Sequence, residues 1–206
     1  MPRSWKNCSR NEKSPGTVWF RGFVLQGGIM EIQGRRSILL KGYDYTAAGG
    51  YFVTIMAYQR DCVFGEIEAG EMHINALGRI VKECWQAIPD HFPNADVDEF
   101  VVMPNHIHGI IFLHYDMATM STGGARHASP LPARGTPSRS LGAIIGSFKS
   151  SVTRRAGREL NLANLWQRNY YEHIIRDQRD YERITGYIIE TPRNWEHDEE
   201  NNHPEI

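Results

Sequence analysis

The stretch MPNHIHGII, Met103 to Ile111, sets two histidines one residue apart inside an apolar run. In a β-strand, side chains two apart share a face. His106 and His108 therefore point one way and Ile107 the other. A strand written like this needs a core behind Ile107 and a reason to hold two imidazoles side by side on its other face. Neutral imidazole is the commonest protein ligand for a divalent metal, and two from one strand offer two ligand positions with little freedom to lose. The plain alternative is one satisfied core histidine beside one at an edge.

The pattern around this strand sets the fold class. GGYFVTIMAYQR (49–60) reads as a strand bounded by Gly-Gly and rich in aromatic and β-branched residues. EAGEMHIN (68–75) reads as a short strand or turn. Asn75 is a natural N-cap, and Leu77, Ile80, Val81, Cys84 and Ile88 follow at helical spacing until Pro89 and Pro93 close the run. DEFVVMP (98–104) is a strand leading into HIHGIIFL (106–113). A second helix starts near Ser140, with Leu141, Ile144, Ile145, Phe148 and Val152 on one stripe. NYYEHIIR (169–176) is a strand, and Asp177 caps a last helix of about 13 residues that Pro192 ends. Few strands interleaved with long helices predict an α+β domain: a ferredoxin-like (RRM-like) antiparallel sheet with helices on one face.

Residues 1–34 read as a poorly ordered extension, with Met30 a possible true start. Residues 35–195 read as the domain and 196–206 as a solvated acidic tail. DMATMSTGGARHASPLPARGTPSRS (116–140) lacks apolar periodicity and reads as a flexible insertion. With 206 residues there is room for one domain with a real core. No apolar run approaches the ~20 residues of a membrane span, and no secretory signal is evident. Cys8, Cys62 and Cys84 are scattered and form no CxxC pair. This argues against a disulfide framework or structural zinc, so a cytoplasmic location is the default. Net charge is near zero, yet between Met117 and Arg176 nine basic residues face only Glu159 and Glu172. That basic middle suggests either a polyanion partner or a solvated loop.

Other HxH chemistries fit poorly. A JAMM-type zinc peptidase needs Ser and Asp where Asp116 and Thr119 stand. An amidohydrolase barrel needs ~250 residues. The paired H-x-[ST] motifs of the 2H phosphoesterases are absent, as is the RNP pattern of an RNA-binding module. A metal beside a basic groove suggests phosphate chemistry that lacks only a nucleophile. Tyr187, on the last helix, is a candidate, although Tyr181 and Tyr187 also suit helix packing. A phenol has a pKa of ~10, and a nearby divalent cation favours its phenolate.

GYFVTIMAYQR (50–60), EFVVMPNHIHGIIFL (99–113), LGAIIGSFKS (141–150), LWQRNYYEHIIRD (165–177) and YIIETPRNW (187–195) resemble, in order, the HUH single-tyrosine transposases of the insertion-sequence-200-like and REP-associated kind. The resemblance runs from about Arg35 to Trp195. It implies a metal-dependent endonuclease and strand transferase acting on single-stranded DNA with hairpin structure. The tyrosine would form a 5′-phosphotyrosine link and release a 3′-hydroxyl. It also implies His106 and His108 as ligands for Mg²⁺ or Mn²⁺, Tyr187 as nucleophile, and a monomer or homodimer. The family commonly carries Asn or Gln four residues after the tyrosine as a third ligand, where this chain has Thr191. Glu190 lies on nearly the same face and offers a carboxylate, so either Glu190 replaces the amide, or a water fills the place, or activity is weakened. If nothing replaces the amide, the alternative is a hairpin DNA-binding protein of the same fold with weak or lost cleavage. Lys149, Arg154, Arg155 and Arg168 are the candidates for holding DNA phosphates, and the basic helix 141–158 is the expected DNA-facing element. Trp166, Tyr170 and Tyr171 are candidates for base stacking, and His173 is a candidate to face the site.

Overall fold

A computed structural model describes residues 43–115, 139–198 and 200–201. The expected extension 1–34, residues 116–138 of the expected insertion, and residues 199 and 202–206 of the expected tail lie outside the described residues.

Among the described residues, six strands and four helices follow in chain order: β1 Gly49–Met56, β2 Gly65–Glu68, β3 Glu71–Ile74, α1 Ala76–Gln86, α2 Ile88–His91, β4 Ala95–Val102, β5 His106–Leu113, α3 Leu141–Leu160, β6 Tyr171–Ile175 and α4 Gln178–Glu190. β1 is central. It pairs antiparallel with β5, from Gly49 opposite Leu113 to Met56 opposite His106, and on its other side with β6. β4 borders β5, with an irregularity between Val97 and Phe100. The sheet order is β4-β5-β1-β6. With α1 and α3 as the two crossovers, this is the split β-α-β-β-α-β arrangement of the ferredoxin-like fold. β2 and β3 form a separate two-stranded ribbon.

The helices start where the caps predict. Asn75 Oδ1 accepts from Gly78 N–H at 3.0 Å, Ser140 Oγ from Ala143 N–H at 3.3 Å and Asp177 Oδ1 from Asp180 N–H at 2.9 Å. Each such cap stabilises its helix by about 1 kcal/mol. Pro89 differs from expectation. It sits in the first turn of the short helix α2 rather than only ending α1, because proline at that position loses no needed N–H.

One face of the sheet carries the main core. Tyr51, Val53, Ile55, Ile107 and Ile111 meet Leu77, Val81 and Trp85 of α1 and Ile144, Phe148 and Val152 of α3. Trp85 stacks on Phe100 with centroids 4.7 Å apart and lies directly over Gly109. A Cβ at Gly109 would stand 2.3 Å from the Trp85 ring, so the strand must be bare at that point.

The expectation that the helices share one face needs correction. α4 covers the opposite face, where Ile184 and Ile188 pack on Ile110, flanked by Phe52 and Phe112. Those residues make the second face apolar as well, and an apolar sheet face must be covered. Nor does the chain leave the domain at Trp195. A 3-10 turn at Trp195–His197 buries that indole, and Glu200 is also buried.

Candidate metal and nucleophile site

His106 and His108 open β5 on the face covered by α4, and both are buried. Their Nε2 atoms lie 2.9 Å apart. The groups behind them fix which nitrogens face each other. Asn105 Nδ2 donates to the Glu200 carbonyl at 2.6 Å, which sets the amide's orientation. Asn105 Oδ1 then faces His106 Nδ1 at 2.7 Å, so His106 Nδ1–H must be the donor and its Nε2 keeps a lone pair. His108 Nδ1 lies 2.9 Å from Thr54 Oγ1, and the same tautomer follows if it donates to that hydroxyl. Partners of this kind orient metal-binding imidazoles and raise their basicity. Burial keeps both rings neutral. It holds His106 well below the ordinary value, helped by the adjoining His108 ring, which a second charge would repel, and by the Arg60 guanidinium, and it pushes His108 down to about 3.

Tyr187 reaches the same place from α4. It lies one turn from Ile184, whose packing sets the helix against the sheet. Its ring meets Phe52 edge-on at 6.1 Å, and its hydroxyl stands 3.3 Å from His108 Nε2. The resemblance names these three residues, and the structure brings them together.

The third ligand position differs from expectation. Glu190 turns outward and accepts from Arg193 Nη1 at 3.1 Å. Thr191 is buried, but its hydroxyl donates to the Tyr187 carbonyl at 2.7 Å and so serves its own helix. Asp198 is the carboxylate that stands beside the imidazoles. Its carboxylate and the two imidazoles offer ligand atoms all within 4.8 Å of one another, the one such grouping of three among the described residues. The turn at Trp195–His197 carries the chain back to put Asp198 there. In the sequence Asp198 is one acid in the run EHDEE, which offers no period or spacing to single it out.

The donor set suits a divalent cation. Two neutral nitrogens 2.9 Å apart and one carboxylate are available, and His106, His108 and Asp198 would hold it.

The basic candidates divide. α3 packs on the face away from the histidines, so helix 141–158 lies apart from the site. Lys149 Nζ donates to the carbonyls of Gln167 and Asn169 at 2.9 and 2.7 Å, and burial pulls its pKa down to about 8. It ties α3 to the segment before β6 and offers little to a phosphate. Arg155 pairs with Glu83 at 2.8 Å and Glu159 at 3.1 Å. Arg154 is exposed beside Ser151. Arg168 is exposed at a pocket on the histidine end of the sheet. Trp166 also lines that pocket, Tyr170 and Tyr171 are partly buried, and His173 is bonded to Asp180 at 2.8 Å.

No family model matches the chain. Among solved structures it is similar to a REP-associated tyrosine transposase bound to a REP hairpin, at 18% identity and TM-score 0.49, over 77% of this chain and 74% of that one. It is also similar to a candidate transposase from Deinococcus radiodurans, at 14% identity and TM-score 0.40, over 73% of this chain and 96% of that one. In sequence it is 44% identical over 169 residues to an uncharacterised protein of Haemophilus influenzae, covering 82% of this chain and 93% of that one. The chain belongs to one family with that Haemophilus influenzae protein.

Proposed function

We propose that this protein cuts and rejoins single-stranded DNA beside a hairpin, with Tyr187 as nucleophile and with Mg²⁺ or Mn²⁺ held by His106, His108 and Asp198. The observation that carries this reading is the Tyr187 hydroxyl 3.3 Å from His108 Nε2, which itself lies 2.9 Å from His106 Nε2. The motif resemblance supplies the substrate class.

A bound divalent cation supplies positive charge that polarises a phosphoryl oxygen and favours phenolate. The chain does the rest. Burial keeps both imidazoles uncharged and therefore able to donate lone pairs. Asn105 and Thr54 hold them in orientation. Phe52 and the α4 packing fix the phenol ring, so its oxygen loses little freedom on attack. The Tyr187 oxygen loses its proton and bonds to phosphorus. The bond from phosphorus to the 3′-oxygen breaks, and that oxygen takes up a proton. DNA is left with a free 3′-hydroxyl and a 5′-phosphate on Tyr187. One phosphodiester replaces another, so the reverse reaction can join a new 3′-end without ATP.

The test is a covalent-adduct assay. Protein is mixed with labelled oligonucleotides spanning the palindromes that flank its own gene, with Mn²⁺ or EDTA, and run on a denaturing gel. A shifted band that needs metal, Tyr187 and His106 is the expected result. Hairpin binding with no adduct at any palindrome would sink the cleavage reading and leave a hairpin-binding protein.

A further inference from the structure

Beyond its last paired residue, β1 runs on into a pocket. Met56 lies opposite His106, and Gln167 N–H donates to the Met56 carbonyl at 3.0 Å. Ala57 N–H donates to the Asn105 carbonyl at 2.8 Å, and Tyr58 N–H to the Leu165 carbonyl at 2.9 Å. Past these bonds, Tyr58, Gln59, Arg60, Trp166, Gln167 and Arg168 enclose an open cavity of about 440 Å³. It adjoins the candidate site. Arg60 pairs at 2.9 Å with Glu200, whose carbonyl holds the Asn105 amide behind His106.

Three features define what fits. Tyr58 is 47% exposed, one of three large apolar side chains so placed among the described residues. Trp166 is a fixed platform, its Nε1–H donating to the Lys149 carbonyl at 3.2 Å and its ring packed on Phe64 and Phe148. Arg168 is exposed and makes no hydrogen bond or ion pair with the described residues, while Lys149 pins the carbonyls on either side of it. The rim is also conformationally committed. Gln59 and Arg60 both adopt left-handed backbone, φ 55° and 58°, which side chains other than glycine rarely take and which gathers at ligand clamps.

Aromatic faces beside an unengaged guanidinium, continuous with a phosphate-handling centre, match one nucleotide of a single strand: a π-face for the base and a cation for its phosphate. Resting on the function proposed above, we infer that this pocket seats a nucleotide flanking the scissile phosphate. Tyr58 and Trp166 stack on the base, Arg168 holds the phosphate, and the pocket thereby sets where the strand is cut.

The test is fluorescence anisotropy in a Tyr187→Phe background, with a labelled hairpin oligonucleotide from the protein's own locus carrying single-stranded flanks. Tyr58→Ala weakens binding about five- to a hundredfold, as loss of one stacking platform does, and Tyr58→Phe restores it. Arg168→Ala flattens the slope of log affinity against log salt by about 0.7, the value for one phosphate contact on a single strand. Abasic substitutions stepped along the flanks find one position at which Tyr58→Ala has no further effect, the mark of a shared contact. Parental affinity and salt slope in both variants, or a Tyr58→Ala effect undiminished at every abasic position, overturns the assignment. The adduct assay on the unmutated protein separates this from the cleavage reading. Adducts with wild-type binding by the pocket variants sink the pocket alone. Pocket-dependent binding without adducts keeps the pocket and sinks the cleavage.

Discussion

β5 shows two kinds of surface on one strand. Ile107, Gly109, Ile111 and Leu113 look into a closed apolar core, where Trp85 fills the space a side chain at 109 would need. His106 and His108, one residue out of phase, look under α4 at a buried polar cluster with a phenol and a carboxylate beside it. The first surface is specified by shape and the second by which lone pairs point where. Damage to the first should therefore appear as lost stability, and damage to the second as lost chemistry in a folded protein.

The largest effect expected is on the chemical side. Tyr187→Phe should abolish the DNA adduct by at least about a thousandfold, yet move the unfolding free energy by no more than about 1 kcal/mol, since the ring packing is kept and only the hydroxyl is removed. Adduct formation by this variant would show that another residue attacks. Gly109→Ala should do the reverse. Trp85 is braced by Phe100 and Phe148, so the new methyl costs about 3 kcal/mol in a denaturant melt. An unshifted melt would mean that the core yields more readily than its packing implies.

Within the polar face, Asp198→Asn should weaken Mn²⁺ binding, read by calorimetry, by about ten- to a hundredfold, while Glu190→Gln leaves it unchanged. The opposite ranking would restore Glu190 as the ligand. The smallest effect is the metal-free protein's response to acid. An imidazole in the unfolded chain takes a proton below pH ~6.5, whereas the buried pair resists protonation, His108 down to about 3. The unfolded state thus binds more protons across that window, and the stability present above pH ~6.5 falls as pH drops toward 3. Replacing both histidines with alanine should flatten the acid limb. An equally steep limb in the double variant would assign the loss to other groups.

Much of this was legible in the residues. β5 follows its alternation from His106 to Leu113, and Ser140 and Asp177 start their helices where a cap was expected. The β2–β3 ribbon was only half visible, since two four-residue strands, GEIE and EMHI, carry too few apolar residues to give a clear signal. The apolar stripe of α4 says that it packs, but not on which face of the sheet. Lys149 shows why basic residues mislead. Sequence counts its charge but not the two carbonyls that occupy it. Asp198 was hidden for a related reason: its role comes from a turn that reverses the chain, and no local pattern encodes where a reversed chain lands.

The edge position of β6 carries a kinetic consequence. β4 and β5 are joined by a tight connection and can zip together early, whereas β6 must return across a long stretch of chain to dock on β1. Tyr187, on the helix that follows, stands 79 positions from its histidine partner. The β4–β5 pair, which carries both imidazoles, is therefore expected to form during refolding before α4 brings the Tyr187 phenol to it. A half-folded molecule would therefore hold two bare imidazoles, and the carboxylate and the phenol would reach them together, only once the last helix has packed.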